Sequence, residues 1–206
     1  MLEGISWLGH ASFKLAKQKT IVYIDPWKIK EKEPADIILI THSHYDHCSP
    51  EDIKKIQKDN TILVAPLDCA PILKGNVKII SPGEKLTIQG IEIEAIPAYN
   101  KGKPFHPKSS NFVGYVITIS GLKIYHAGDT DFIPEIEKLN IDIALFPIGG
   151  TYTMNAEEAA SAVNCIKPKV AIPMHYGGIA GSKNDAEKFK KLCQVEVEIL
   201  KEDKNG

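Results

Sequence analysis

The stretch that most constrains this chain is Thr41-His42-Ser43-His44-Tyr45-Asp46-His47. Three histidines and an aspartate fall within six residues, directly after the apolar run Ile37-Ile38-Leu39-Ile40. That run is short, rich in β-branched residues and lies just past Pro34, which predicts a buried strand. Ser49-Pro50-Glu51-Asp52 then predicts a helix start, with Ser49 as N-cap, Pro50 at the first helical position and acids in the first turn. The cluster therefore falls on a tight loop between the C-terminal end of a strand and a helix. Open α/β sheets place ligand sites there.

Neutral imidazoles and a carboxylate converging on one point suit a borderline divalent metal, zinc first. His42 and His44, two apart, can point the same way. Asp46 and His47 follow after the chain has turned and can face a neighbouring point, so one loop can feed two metals.

Composition sets wider bounds. A chain of 206 residues is long enough for one domain with a full core, and no linker or composition break divides residues 1–206. The apolar share of 43% and charged share of 25% are those of an ordinary globular protein. With a net charge of −1, nothing argues for a nucleic-acid footprint. The sequence enters a strand pattern almost at once, with no basic-then-apolar leader. No apolar run approaches the length that spans a bilayer. Cys48, Cys69, Cys165 and Cys193 form no Cys-x-x-Cys pair, and free thiols in a reducing cytoplasm are the simplest account. The expectation is a cytoplasmic protein with no nucleic-acid or membrane partner; the oligomeric state stays open.

The pattern His-x-His-x-Asp-His after an apolar strand resembles the signature of the metallo-β-lactamase superfamily. Ile5-Ser6-Trp7-Leu8-Gly9-His10-Ala11-Ser12, Ile24-Asp25-Pro26-Trp27, Ala127-Gly128-Asp129-Thr130 and Pro173-Met174-His175-Tyr176 appear around it in the expected order. Together they look like the branch that holds the ascorbate-lactone hydrolase and the N-acyl-phosphatidylethanolamine phospholipase D. The resemblance implies an α/β (α+β) fold, a four-layer αββα sandwich with the metals at one edge; pattern reading alone reaches only a mixed α/β chain. It further implies that Asp129 bridges two metals and that His175 closes the second site. The resemblance also puts His10 near the site but outside the primary ligands, where it would hydrogen-bond a ligand or touch substrate.

Taken in order, residues 12–15 and 21–24 read as strands joined by a polar link at 17–20. Asp25 closes the second of them, and an acid there suits hydrogen bonding to a metal ligand. After the His loop come a helix from 50 to about 58, a strand at 61–65, a short helix near 68–73, and strands at 77–80, 85–88 and 91–97, with Gln89-Gly90 among the turns. The superfamily places a metal-binding histidine just after the strand ending there, and this chain has Asn100. His106, six residues on in a Gly- and Pro-rich loop, is the only nearby imidazole. We expect it to fold back and supply the missing ligand or to bind substrate. Strands at 112–119 and 122–125 form a hairpin that delivers His126-Ala127-Gly128-Asp129. His126, an odd number of residues before Asp129, reads as structural. A short helix at 134–139, a buried strand at 141–147 and a helix capped by Asn155, with Glu158 at capping-box spacing, follow. A buried strand at 170–173 leads into His175. A last helix from 184 or 185 to about 193, a strand at 195–200 and a charged, frayed tail at 201–206 complete the chain.

The reading that follows is a binuclear, zinc-dependent hydrolase, with Mn2+ or Fe as alternative metals. His42 and His44 hold one ion, with His106 or Asn100 third. Asp46, His47 and His175 hold the other. A hydroxide shared by the two attacks a small-molecule ester, phosphoester, phosphodiester or lactone, steered or deprotonated by Asp46. The competing classes are a metal-binding protein without turnover and a di-iron redox protein.

Overall fold

The computed structural model describes residues 1–17, 19–30 and 33–203. Gln18, in the polar link between the second and third strands, and residues 204–206 of the charged tail lie outside the described residues. Two compact units are distinguished, Met1–Ile80 with the segment from Leu200, and Ser81–Ile199.

In the first unit one sheet runs in the order β1 (Ile5–Gly9), β2 (Ser12–Lys17), β3 (Thr20–Ile24), β4 (Ile37–Leu39), β5 (Ile62–Ala65) and β6 (Asn76–Ile79). The first three strands form an antiparallel meander, and from β3 to β6 neighbours run parallel. Strands buried on both faces need continuous apolar runs, and β4 is wholly buried. Helix α1 (Pro50–Ile56) starts as its sequence predicts, with the Ser49 side chain accepting from the Asp52 N–H. It places Ile53 and Ile56 in a core with Tyr23, Ile38, Ile40, Leu63 and Cys69.

Because β3, β4 and β5 share a direction, their C-terminal ends lie along one edge. Register sets Ile24 beside Leu39 and Leu39 beside Val64. The residues that follow these ends, Asp25, His42 and Asp68, thus emerge together. The helix expected near 68–73 is instead a single 3-10 turn, Leu67–Cys69. Pro71 has no N–H to donate, so the helical ladder loses a rung there, and beyond it Ile72 N–H and Leu73 N–H both return to Cys69 O.

The second unit carries a sheet of β7 (Lys85–Ile88), β8 (Ile91–Pro97), β9 (Val113–Ile119), β10 (Leu122–His126), β11 (Ile143–Pro147), β12 (Val170–Met174) and β13 (Glu196–Val197), spatially in the reverse of that order. From β7 to β10 the pairing is antiparallel, and from β10 onward it is parallel. Ser120 (φ 53°) and Gly121 (φ 75°) both take the left-handed conformation that a two-residue hairpin of this twist requires. Helices α2 (Pro134–Glu137), α3 (Ala156–Ile166) and α4 (Lys183–Leu192) complete the unit. α3 has the expected capping box, in which the Asn155 side chain accepts from the Glu158 N–H and Glu158 accepts from the Asn155 N–H.

The strand expected at 195–200 shrinks to two residues. Glu198 N–H still bonds to Ala171 O, but the next rung of a parallel ladder would need an N–H from Pro173, which has none. β8, β10, β11 and β12 all run one way, so Asn100, Asp129, Gly149 and His175 emerge along one edge of this sheet. Among the described residues, no helix is long and apolar enough to cross a membrane.

Candidate metal centre

In the first unit the donors are built outward from Asp25. Its backbone lies at φ 45°, in the left-handed region that non-glycine residues seldom enter. Its buried carboxylate accepts from the Thr41 N–H (2.8 Å), the Thr41 hydroxyl (2.7 Å) and His47 Nδ1 (2.7 Å). A carboxylate only accepts, so His47 carries its proton on Nδ1 and keeps the lone pair on Nε2. The Thr41 hydroxyl hydrogen is committed to Asp25. Its 2.9 Å contact with His42 Nδ1 therefore has the imidazole donating, which leaves the His42 lone pair on Nε2.

These two nitrogens face the remaining loop residues. His42 Nε2 lies 3.0 Å from His44 Nδ1. His47 Nε2 lies 3.8 Å from Asp46 Oδ2. His10, at φ 51°, places Nε2 3.0 Å from that same Asp46 oxygen. The loop is pinned from below by Asp68, whose carboxylate accepts the Ser43 N–H at 2.8 Å. Cys48, next to His47 in sequence, is buried in the core cluster with Cys69. A hydrogen bond to Cys48, together with burial, holds the Cys69 thiol well above the usual thiol range. Cys69 stays protonated and offers no thiolate to a metal.

In the second unit the 100–106 loop does fold back. Asn100 N–H donates to His106 O at 2.7 Å. The Asn100 side-chain oxygen accepts from the His106 N–H (3.1 Å) and from His106 Nδ1 (3.0 Å). Its amide nitrogen donates to Asp131 Oδ1 and Tyr152 O, both at 3.1 Å. With acceptors on one end of the amide and donors on the other, the orientation of Asn100 is fixed by the network. His106 is thereby protonated on Nδ1, and its Nε2 faces Asp129 Oδ2 at 3.4 Å. His175 Nε2 approaches the same oxygen at 3.2 Å. Both ends of the Asn100 amide are engaged, so the residue acts here as a brace for His106.

His175 lies at φ 57°. Gly149 makes room for it, since a Cβ there would stand 2.7 Å from the His175 carbonyl oxygen and 3.1 Å from its Nδ1. Asp131 gathers Asn100 with the Lys101 N–H (2.8 Å) and the Lys103 ammonium (2.7 Å). His126 is buried and accepts the Gly128 N–H at 3.2 Å, holding the turn that presents Asp129.

The donor chemistry fits a divalent ion. Four ligands about 2.05 Å from a tetrahedral zinc stand about 3.3 Å apart. The separations of 3.0 Å for His42–His44, 3.2 Å for His175–Asp129 and 3.4 Å for His106–Asp129 lie close to that edge length. The donors are imidazole nitrogens and carboxylate oxygens, the set that suits zinc, manganese or iron. Sequence reading did not foresee Asp68 or Asp131. The usable signal for both was an acid a few residues past the C-terminal end of a strand.

A family model described as the beta-lactamase superfamily domain matches residues 4–175. A UPF0173 metal-dependent hydrolase of Thermoplasma acidophilum is 41% identical over 92% of this chain and 90% of its own length. A Parabacteroides distasonis crystal structure described as a metal-dependent hydrolase superposes with a TM-score of 0.86 at 33% identity, covering 96% of this chain and 93% of that one. The metallo hydrolase Igni18 of Ignicoccus hospitalis shares the fold, with a TM-score of 0.81 at 24% identity over 96% of this chain and 94% of its own. Two mixed sheets with few helices, the His-x-His-x-Asp-His loop and this likeness over nearly the whole length lead to one conclusion: the chain belongs to the metallo-β-lactamase superfamily, within its UPF0173 group of metal-dependent hydrolases.

Proposed function

We propose that this chain hydrolyses an ester, phosphoester, phosphodiester or lactone bond in a small molecule, using two divalent cations, zinc first. In the first unit His42, His44, Asp46 and His47 would hold divalent ions, and in the second His106, Asp129 and His175 would; the Asp129 carboxylate, with two oxygens, has capacity for two. Bound by such donors, a divalent pair brings the ionisation of water close to neutral pH and neutralises negative charge growing on the attacked group.

The chain's own residues supply the rest. His10 donates Nε2–H to Asp46 Oδ2 and fixes the plane of that carboxylate, so that Asp46 Oδ1 can accept the proton of the attacking water. Asp25 keeps His47 in its Nδ1–H form, and Asn100 does the same for His106. The observation that carries this reading is in the second unit. There, two imidazole Nε2 atoms lie within 3.4 Å of one Asp129 oxygen, and one of those imidazoles is turned inward by Asn100.

The test is elemental analysis of protein purified without added metal, combined with turnover of a panel of phosphodiester, phosphomonoester, ester and lactone substrates. Wild type should hold close to two metals and turn over one class. His106→Ala should lose one metal and at least a hundredfold in kcat/KM. Full metal content and full turnover in His106→Ala would remove His106 from the site. Loaded wild type that hydrolyses nothing on the panel would sink the hydrolytic reading.

A further inference from the structure

We propose that Trp27, Lys28 and Tyr45 form a binding shelf for the aromatic or otherwise flat apolar group of an anionic substrate. The reaction it serves is the hydrolysis proposed above, but the shelf stands on geometry that hydrolysis did not use. Of the chain's two tryptophans, Trp7 is buried and Trp27 is half-buried. The Trp27 ring meets Tyr45 edge to face, with centroids 6.0 Å apart at 73°. The same ring meets His10 at 5.0 Å and 62°. His10 in turn lies 5.6 Å from His47, and His47 lies 4.1 Å from His42. Rings therefore run without a break from the solvent to the imidazole donors.

The outer end of this run has no part in the core. Tyr45 is 68% exposed, yet it is held between His44 and Asp46 in sequence and cannot drift from them. The backbone under the other ring is fixed as well. Trp27 N–H donates to Ser12 Oγ at 3.0 Å, and Lys28 N–H donates to Asp52 Oδ2 at 2.8 Å. Lys28 sits at φ 52°, a conformation that a lysine adopts only when its surroundings impose it. The result places the ammonium 4.2 Å from the centre of the Trp27 ring. Among the described residues no carboxylate lies within ion-pair reach of that ammonium.

With Tyr45 68% exposed, the outer ring of this pair still offers surface to a third ring. A cation beside them, with no acid in ion-pair reach among the described residues, prefers an anion. Together they select a substrate that joins a flat apolar group to a negative charge, such as an aryl phosphoester or an aryl or acyl ester bearing a carboxylate. A small, fully polar phosphate ester would use the metals and leave the shelf bare.

The experiment reads binding, not turnover. In a Trp7→Phe background Trp27 is the sole tryptophan, and its fluorescence reports the shelf directly. The metal-loaded protein is titrated with phenylphosphonate and with methylphosphonate, neither of which can be hydrolysed. Phenylphosphonate should quench Trp27 saturably and bind about tenfold tighter than methylphosphonate. Tyr45→Ala should remove most of that difference, Tyr45→Phe should keep it, and Lys28→Gln should weaken both ligands by a similar factor. Equal affinity for the two phosphonates, or an unchanged ratio in Tyr45→Ala, would overturn the shelf. The hydrolytic reading fails by a different result, absence of turnover on the substrate panel, which leaves this ratio untouched.

Discussion

Asp25 shows how much of a candidate metal site can lie behind the side chains that would touch the ion. Three donors converge on a carboxylate that never needs to touch the ion. Its left-handed backbone costs of order 1 kcal/mol, which the three buried hydrogen bonds offset. Asp25→Ala should leave His47 free to rotate and to change tautomer. Metal affinity should fall about 10- to 100-fold, as read by competition with a chelator of known strength. An unchanged affinity would mean that Thr41 alone orients the loop. Asn100 performs the matching task for His106, and Asn100→Leu should lower kcat/KM nearly as far as His106→Ala does. Folding intact by circular dichroism would separate that loss from collapse of the loop. This contrast marks what the sequence could tell. Asp25 was legible because an acid at a strand end beside a histidine loop has few other uses. Which of Asn100 and His106 faces Asp129 was not legible, because it depends on a seven-residue loop whose path is set by Asp131 and Tyr152, far along the chain.

Among the elements, those with chemical punctuation were legible to within a residue or two. α1 and α3 announce themselves through Ser49-Pro50 and through Asn155 with Glu158. Asn155→Ala removes the side-chain acceptor of the Glu158 N–H, leaves the backbone half of the α3 capping box in place, and should cost about 1 kcal/mol, measured as a lower urea midpoint at unchanged slope. The elements misread were limited by a partner's proline or their own. Pro71 took a rung out of the helix expected at 68–73, and Pro173 took the next hydrogen-bond donor away from β13. Neither effect shows in the periodicity of the affected segment. Asp36, just before β4, tests the link between β3 and its neighbours. Burial raises its pKa, but the Lys58 ammonium and the Ile21 N–H outweigh that and hold it below the usual carboxylate value. A depressed folded pKa stabilises above the unfolded value and is lost as pH falls through the folded one. Asp36→Asn should therefore cost about 0.5–1 kcal/mol at pH 7, the half-exposed lysine being screened by water, and cost nothing once wild-type Asp36 is itself protonated near the acid end. A penalty that persisted undiminished at low pH would mean that the Ile21 hydrogen bond alone, not the charge, matters.

At the scale of the whole molecule, the candidate ligands run from His42 to His175 in sequence, and both units end parallel strands in metal-type donors. Strand-end clustering of this kind was visible in the sequence as five short phrases in order. Spacing showed which residue types were present, but the pairing of donors into sites came from family likeness, because ligands more than a hundred residues apart leave no periodic trace. The proposed centre makes a thermodynamic demand on the entire chain. An ion bound by ligands so far apart in sequence binds the folded state and not the unfolded one, so it stabilises by RT ln(1 + [M]/Kd). At a hundredfold excess over Kd that is about 2.7 kcal/mol per site, or roughly 5–10 °C in melting temperature for a chain of this size. Dialysis against a chelator should lower the midpoint by at least that much, and added zinc should restore it. Asp129→Asn gives the decisive comparison, since it keeps the shape of the side chain but offers only one oxygen to a cation. If Asp129 serves both ions, this variant should melt near the chelated wild type and respond weakly to zinc. A variant that still gained the full zinc-dependent shift would leave the ions held without Asp129, and the shared-carboxylate arrangement would have to be abandoned.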